Sequence, residues 1–523
     1  MQSHLEIERK YDAASSWDLP DLSTIEGVGS VQEASSVDLH AIYFDTGDLL
    51  LLDHRITLRR RTGGGDEGWH LKLPGGEGGH TTRLELQSPL TSPSADKATE
   101  IPAPLMAAIQ VHVRDRALIP VAEIRTRRSA HWLRATDGTV LAEVADDQVT
   151  GTALNRFADD EERTHTWHEI EVELVDGETA ILDAAESALL AAGATPAAAA
   201  SKLARTLGVD TSRRAPAITV SSQSDAGTAV GAYLTRYVRR LLEFDPDVRQ
   251  NDPNSEEEAD EAVHQMRVCT RRLRSVLATY RVLYDRETTD PVRDELAWIG
   301  GLLGALRDVQ VIRAEVLAAV AELPADEVVG PVRRRLDTMF TARATTAHDR
   351  LLVALDSARY FRLLDALEAF VDKPTRSDRA ALPAQSELPG RVRGEWKRVA
   401  SRHKEMVRAQ DSSERDVARH ALRRAAKRAR YAAEVAEPVC GADATRFITS
   451  MSAIQTSLGT FQDTVIVRAT LTEATHIAAT HIEDGFTYGL LIGRQQLRAD
   501  TALREFDGVW DAAVRRRILR WLG

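Results

Sequence analysis

The sequence is short of cysteine, of long apolar runs and of the usual nucleotide-binding loops. It has two cysteines in 523 residues, Cys269 and Cys440, far apart and without nearby partners. That excludes a disulfide framework or a cysteine-based zinc site and suits a reducing cytoplasm. No stretch offers about 18 uninterrupted apolar residues, so no membrane-spanning helix is expected. The opening MQSHLEIERKYD lacks the basic-then-apolar layout of a secretory signal. There is no GxxxxGKS/T loop and no GxGxxG loop after a strand, so neither P-loop nor dinucleotide-binding chemistry is supported.

What is present is charge, unevenly placed. The formal net charge is -12, with 67 Lys+Arg against 79 Asp+Glu. Residues 1–210 carry 19 basic and 35 acidic side chains, residues 211–523 carry 48 and 44. Local pattern changes at the same place. Short alternating runs come first: LEIERKY (5–11), ITLRRR (56–61), WHLKL (69–73), TRLEL (82–86) and HEIEVEL (168–174), separated by turn-formers such as GGG (63–65) and GGEGG (75–79). Such period-2 alternation predicts half-buried strands. Helical stretches follow at 180–192 and after Pro196. Segment 211–228 is rich in Ser, Thr, Ala and Gly and reads as a linker. From 229 onward, long Arg- and Ala-rich helices are predicted, with loops at 245–258 and 373–390.

Charge runs on strands are ordinarily solvated faces, but here they recur on many strands. Glu6, Glu8 and Lys10 share a face, as do Glu169, Glu171 and Glu173. Arg59 and Arg61, His70 and Lys72, Arg83 and Glu85, and Arg125 and Arg127 repeat the pattern. Three glutamates on one strand face repel one another unless a cation sits among them. A closed antiparallel barrel with a polar lumen resolves this: carboxylates hold a hard divalent cation such as Mg²⁺ or Mn²⁺, and Arg and Lys hold phosphate oxygens.

Glu6-Ile7-Glu8-Arg9-Lys10 resembles the ExExK signature of the CYTH superfamily, the triphosphate tunnel metalloenzymes. The resemblance spans about residues 2–207. It takes in YFDTGDLLL (43–51), the two arginines of ITLRRR, Lys72, TRLE, LAEVADD with Glu143 and Asp147, HEIEVEL, and SKLAR with Lys202. It implies an eight-stranded antiparallel tunnel in which Glu6, Glu8, Glu169 and Glu171 bind one or two divalent metals. Lys10, Arg59, Arg61, Lys72, Arg83, Arg125 and Lys202 would grip the triphosphate. Glu6, Glu8 and Lys10 form the expected catalytic set. Arg125 and Arg127 both remain open for the basic position, and parity with Glu143 favours Asp147 over Asp146.

The second half repeats itself. HQMRVCTRRLRS from His264 and HALRRAAKRARY from His420 place basic residues at offsets 3, 7, 8 and 10. These are Arg267, Arg271, Arg272 and Arg274, then Arg423, Lys427, Arg428 and Arg430. Downstream, LGALRDVQV (303–311) parallels LGTFQDTVIV (458–467), with Asp308 and Asp463 in matching places. The copies lie 156 residues apart at the histidine and 155 at the aspartate, which suits duplication of a helical unit. At about 100° per residue those offsets gather on one side of a helix, and like charges so close call for an anion. Two isolated histidines make a poor zinc site.

These motifs resemble the CHAD domain over about residues 225–520. The resemblance implies two pseudo-symmetric four-helix bundles with a basic groove for inorganic polyphosphate. The matching positions are His264, Arg267, Arg271, Arg272, Arg274, Arg307, His420, Arg423, Arg424, Lys427, Arg428, Arg430 and Tyr431. Gln462 replaces the first repeat's Arg307, so an asymmetric groove is expected.

The expected chain is α+β and multidomain: a β tunnel with flanking helices over 1–210, a linker over 211–228, and an all-α domain over 229–523. The expected activity is metal-dependent hydrolysis of inorganic triphosphate or short polyphosphate, with longer polyphosphate held by the helices. A non-catalytic polyphosphate-binding protein is the competing reading. An adenylate cyclase or an organic triphosphatase such as a thiamine triphosphatase ranks below it, since nothing in the sequence demands a nucleoside. Nucleic acid is not the expected partner: the basic helices lack interleaved aromatics and no DNA-reading motif appears.

Overall fold

The computed structural model describes residues 2–75, 82–90, 100–154, 164–210, 218–250 and 258–523. Its contacts divide the chain into two compact units, 1–216 and 217–523. Most of the GGEGG loop, residues 211–217 of the expected linker, and 251–257 of the expected acidic loop lie outside the described residues.

The first unit is a closed antiparallel barrel. Its strands are β1 (Gln2–Ala13), β2 (Ser30–Glu33), β3 (Val37–Asp45), β4 (Thr57–Thr62), β5 (Gly68–Pro74), β6 (Thr82–Ser88), β7 (Ile119–Arg134), β8 (Val140–Ala153), β9 (Thr164–Leu174) and β10 (Thr195–Pro196). Eight of them run β1-β6-β5-β4-β3-β7-β8-β9, and a β9–β1 pairing closes the ring. The short β2 pairs with β7 and β10 with β1. Closure leaves the eight strands without an open edge. The closing register sets Glu8 opposite Glu173, Lys10 opposite Glu171 and Asp12 opposite Glu169.

Charged residues face inward because helices cover the apolar faces outside. Helix α1 (Leu50–Asp53) and α2 (Ala103–Val113) close a core with Leu58, Leu71 and Leu86. Helix α3 (Thr179–Ala191) covers Val144, Ile170 and Val172. Each such fully buried aliphatic side chain contributes about 1.5–3 kcal/mol. Helix α4 (Lys202–Leu207) is capped by Ser201, whose Oγ accepts from the Ala204 N–H at 3.1 Å. It packs Leu203 and Ala204 against Tyr43, Ile124 and Val149, making one end of the lumen apolar. Gly151 permits that approach: a Cβ there would lie 2.2 Å from Thr206 Oγ1.

The second unit is helical: α5 (Ala226–Gln250), α6 (Glu258–Thr279), α7 (Arg286–Ala321), α8 (Val332–Leu355), α9 (Ala358–Asp372), α10 (Ala384–Arg408), α11 (Ser412–Cys440), α12 (Ala442–Thr480), α13 (Phe486–Ala513) and α14 (Arg516–Leu519). Helix α5 begins three residues before the expected 229 and runs through Pro246, so the break expected from 245 starts later. Likewise α10 takes in Pro389, within the expected loop 373–390. Each bundle draws helices from both repeats. Val316, Phe340, Leu471 and Leu491 of α7, α8, α12 and α13 share one core, while α5, α6, α10 and α11 pack together. Among the described residues, no helix is long and apolar enough to cross a membrane.

Candidate functional site

Strand β1 inverts ordinary amphipathicity. Ile7 packs on the outer core, and Arg9 reaches out to Asp183 at 2.6 Å. Glu6 and Glu8, 4% and 5% exposed, face the lumen. Lys72 Nζ lies 2.6 Å from Glu6, and Lys10 Nζ lies 3.1 Å from Glu8 and also contacts Glu171. Lys202, buried on α4, stands 2.8 Å from Glu169, 2.7 Å from Glu171 and 3.0 Å from Asp147. Asp146, by contrast, pairs with His168 at 2.7 Å.

The arginines collect on the far strands. Arg59 Nη1 donates to Tyr43 Oη at 3.3 Å, and its Nη2 lies 3.8 Å from Glu85, which His70 Nδ1 holds at 3.0 Å. Arg61 contacts Asp66. Burial, then repulsion from Arg59 and Arg128, pushes the Arg61 guanidinium down to about 9. Arg83 donates to the Ala200 carbonyl at 3.4 Å.

One expected residue is elsewhere. The Arg125 side chain is 72% exposed and pairs with Glu123 at 2.9 Å on the outer wall, and Arg127 is exposed as well. The inward cation of β7 is Arg128, 2.7 Å from both Asp147 and Glu171. Strand β7 has inward Ile124 and Thr126 because its end of the lumen is apolar. Placing charge inward and apolar residues outward therefore picks the wrong parity there.

In the helical unit, α6 and α11 bring Arg267, Arg271, Arg423 and Lys427 together. Arg271 Nε donates to Tyr431 Oη at 2.9 Å, and Arg267 pairs with Asp308 at 2.8 Å. Burial, then Arg423, Arg271 and Arg267, push Lys427 down to about 7. Arg274 is lowered by burial and by Arg271, Arg293 and Arg424. Arg430 lies 3.5 Å from Glu434. Two expected ligands turn away: Arg272 pairs with Glu434 and Tyr233, and Arg428 with Glu395 at 2.9 Å. His264 is lowered by burial and then by Arg307, whereas His420, also lowered by burial, has Gln462 as a hydrogen-bond partner. The Arg307-to-Gln462 difference thus changes each histidine's neighbour.

Residues 4–207 match the CYTH domain and residues 232–472 the CHAD domain, in that order. The chain belongs to the CYTH–CHAD family. Two uncharacterized proteins of Mycobacterium tuberculosis, from strains CDC 1551 / Oshkosh and ATCC 25618 / H37Rv, are 38% identical to it over 96% of this chain and 96% of theirs. The CHAD domain from the plant Ricinus communis aligns at 22% identity and a TM-score of 0.44, covering 58% of this chain and 96% of that one. Family membership makes the CYTH–CHAD chain a triphosphate tunnel protein of phosphoryl-transfer type, and it implies a divalent metal.

Among the described residues no three acidic or histidine side chains are gathered into a metal site, but the lumen carboxylates of this CYTH barrel are the hard oxygen donors a divalent cation takes. Glu8 and Glu143 stand directly opposite Glu173 in the neighbouring strands, an arrangement that like charges disfavour without a cation. Burial, then Glu6 and Glu8, raise the Glu173 carboxyl to about 7. Glu6 is raised by burial, with Glu85 and Glu8 adding to the effect against Lys72. Burial also opposes ionisation of Glu8, but Lys10 and Lys72 outweigh it and hold the group at about 2. Glu169 and Glu171 are engaged by Lys202, Lys10 and Arg128, as Glu6 and Glu8 are by Lys72 and Lys10.

Proposed function

We propose that the barrel hydrolyses inorganic triphosphate, or short polyphosphate, with Mg²⁺ or Mn²⁺, and that the helical unit binds inorganic polyphosphate. The observation that carries this reading is the composition of one closed lumen. Arg59, Arg61 and Arg128 are electrostatic neighbours on one side, and Glu6, Glu8 and Glu173 on another. Phosphoryl transfer needs charge neutralisation and an aligned nucleophile, with little covalent work by the protein. The arginines and Lys72 would bind and orient phosphate oxygens, Arg with paired donors. Glu6 and Glu8, joined by Glu173 or by the expected Glu169 and Glu171, would hold the metal. The metal would neutralise phosphate charge. Lys10 and Lys202, each raised by surrounding carboxylates against burial, stay charged at neutral pH and fix those carboxylates in place.

The test is phosphate release from triphosphate, ATP, thiamine triphosphate and long polyphosphate with each metal. Release from triphosphate above a Glu8→Gln control supports the proposal, and no release above that control defeats it. A second reading, an idle tunnel on a polyphosphate-binding protein, is favoured by the internal pairing of Glu169 and Glu171. Polyphosphate binding without turnover of any substrate selects it.

A further inference from the structure

The two basic helix faces repeat in sequence but differ in charge compensation. In the first repeat, Arg267 Nη1 donates to Asp308 at 2.8 Å. In the second, Arg423 Nε donates to the Gln455 carbonyl at 3.4 Å. Asp463 is an electrostatic neighbour of Arg423, and among the described residues the two make no ion-pair contact. Lys427, one turn further along α11, has no carboxylate partner among the described residues. Its charged neighbours include Arg267, Arg271, Arg423 and Arg430, with Asp463 the acidic group that faces it without a contact among the described residues. Half-buried like charges within one turn are costly until an anion answers them.

The glycines of the repeated Leu-Gly step differ in parallel. Both lie inside long helices, where glycine is less favourable than alanine. A Cβ on Gly304 would come no closer than 3.4 Å to the Arg267 guanidinium, ordinary contact. A Cβ on Gly459 would lie 2.9 Å from Arg423 Nη2 and 3.3 Å from Nε. The Arg423 guanidinium therefore lies close enough to Gly459 that a Cβ would make its flexible tip shift, whereas the Arg267 contact is looser.

We propose that polyanion binding centres on the second repeat, at Arg423 and Lys427, and that Gly459 is a positioning residue that lets Arg423 lie against α12. This rests on the polyphosphate reading of the helical unit. A methyl group at 459 would swing the flexible guanidinium away, moving a donor out of the site and leaving the helix intact.

The experiment measures calorimetric affinity of the full chain for long-chain inorganic polyphosphate, alongside thermal unfolding. Gly459→Ala should weaken binding about five- to tenfold, the loss of one charge-assisted contact, with an unchanged or higher unfolding midpoint. Gly304→Ala should change affinity less than about twofold, since its Cβ meets only ordinary contacts. In an Arg423→Gln background, Gly459→Ala should cost nothing further. Arg423→Gln and Lys427→Gln should each weaken binding more than Arg267→Gln, which keeps the proposal testable if a glycine variant misfolds. Equal losses from the two glycines, a Gly459→Ala loss that persists in the Arg423→Gln background, or an equal Arg267→Gln effect would overturn it. A wild-type chain that holds no polyphosphate instead overturns the reading beneath it.

Discussion

The barrel lumen and the α6–α11 face are both crowded with cations, yet they are electrostatic opposites. In the lumen nearly every cation has a carboxylate: Lys72 with Glu6, Lys202 with three acidic groups, Arg128 with Asp147 and Glu171. Lys202 and Arg128 are accordingly held well above their ordinary range by those carboxylates despite burial. On α11 the direction reverses: burial, with repulsion from neighbouring cations, drives Lys427 down. The difference separates two ways of meeting a polyanion. A lumen already near neutrality suits a ligand that arrives with its own counter-cation. A face only partly compensated suits bare polymer.

The strongest test breaks the lumen while sparing the helices. Glu8→Gln should lower kcat/KM for triphosphate by at least about 100-fold and leave polyphosphate affinity unchanged, as read by phosphate release and by calorimetry on the same protein. Next, Arg128→Ala should destabilise the fold by about 3 kcal/mol, because it strands Asp147 and Glu171. Arg125→Ala, on the outer wall, should stay within about 0.5 kcal/mol. Denaturant titration of both variants decides whether β7 faces as described.

Two further predictions sharpen the contrast. Polyphosphate affinity should fall steeply with added salt, by a log–log slope that shrinks by about one for each cation removed from the face. The KM for triphosphate should move less, because buried pairs are screened less. The smallest effect is a pH effect. Lys427 titrates near 7 in the folded chain and near 10.4 when unfolded. Between those values the unfolded state binds more protons, so this group's contribution makes stability rise with pH, and below about 7 its penalty is fully present. Polyphosphate prefers the charged ammonium. Lys427 should therefore take up a proton on binding at pH 8 and little at pH 6, measurable as a dependence of binding heat on buffer ionisation enthalpy. Lys427→Gln should remove that uptake at pH 8.

Much of this was legible from spacing alone. The inward glutamates of β1 and β9 follow from period 2, because nothing apolar competes for the lumen at their end. Arg128 was not legible. The lumen changes from polar to apolar along β7, so Ile124 and Arg128 share a face that a two-letter pattern assigns to different sides. Asp147 stands beside Lys202 and Asp146 beside His168, the parity that Glu143 predicts. On the helices, the seven-residue offset keeps Arg271 and Lys427 close to the direction of the histidines. The eight-residue offset carries Arg272 and Arg428 roughly 80° round, enough to reach Glu434 and Glu395 on neighbouring surfaces. The Gly459 contact left a trace in the repeated Leu-Gly step, but its two copies read alike until the arginines had positions.

The β1–β9 seam has a consequence for how the protein is made. Lys10 and its partner Glu171 are separated by 161 residues of chain, and Lys202 joins them later still. During synthesis the first strand emerges long before the strand that completes its ladder, and such distant pairings form slowly. Until then it offers one unpaired edge and a row of glutamates with few counter-charges. Those glutamates keep the waiting edge unattractive to other nascent strands, since inward-pointing charge is one of the ways sheets avoid joining edge to edge. The residues expected to hold a metal in the finished barrel would thus also protect the unfinished one.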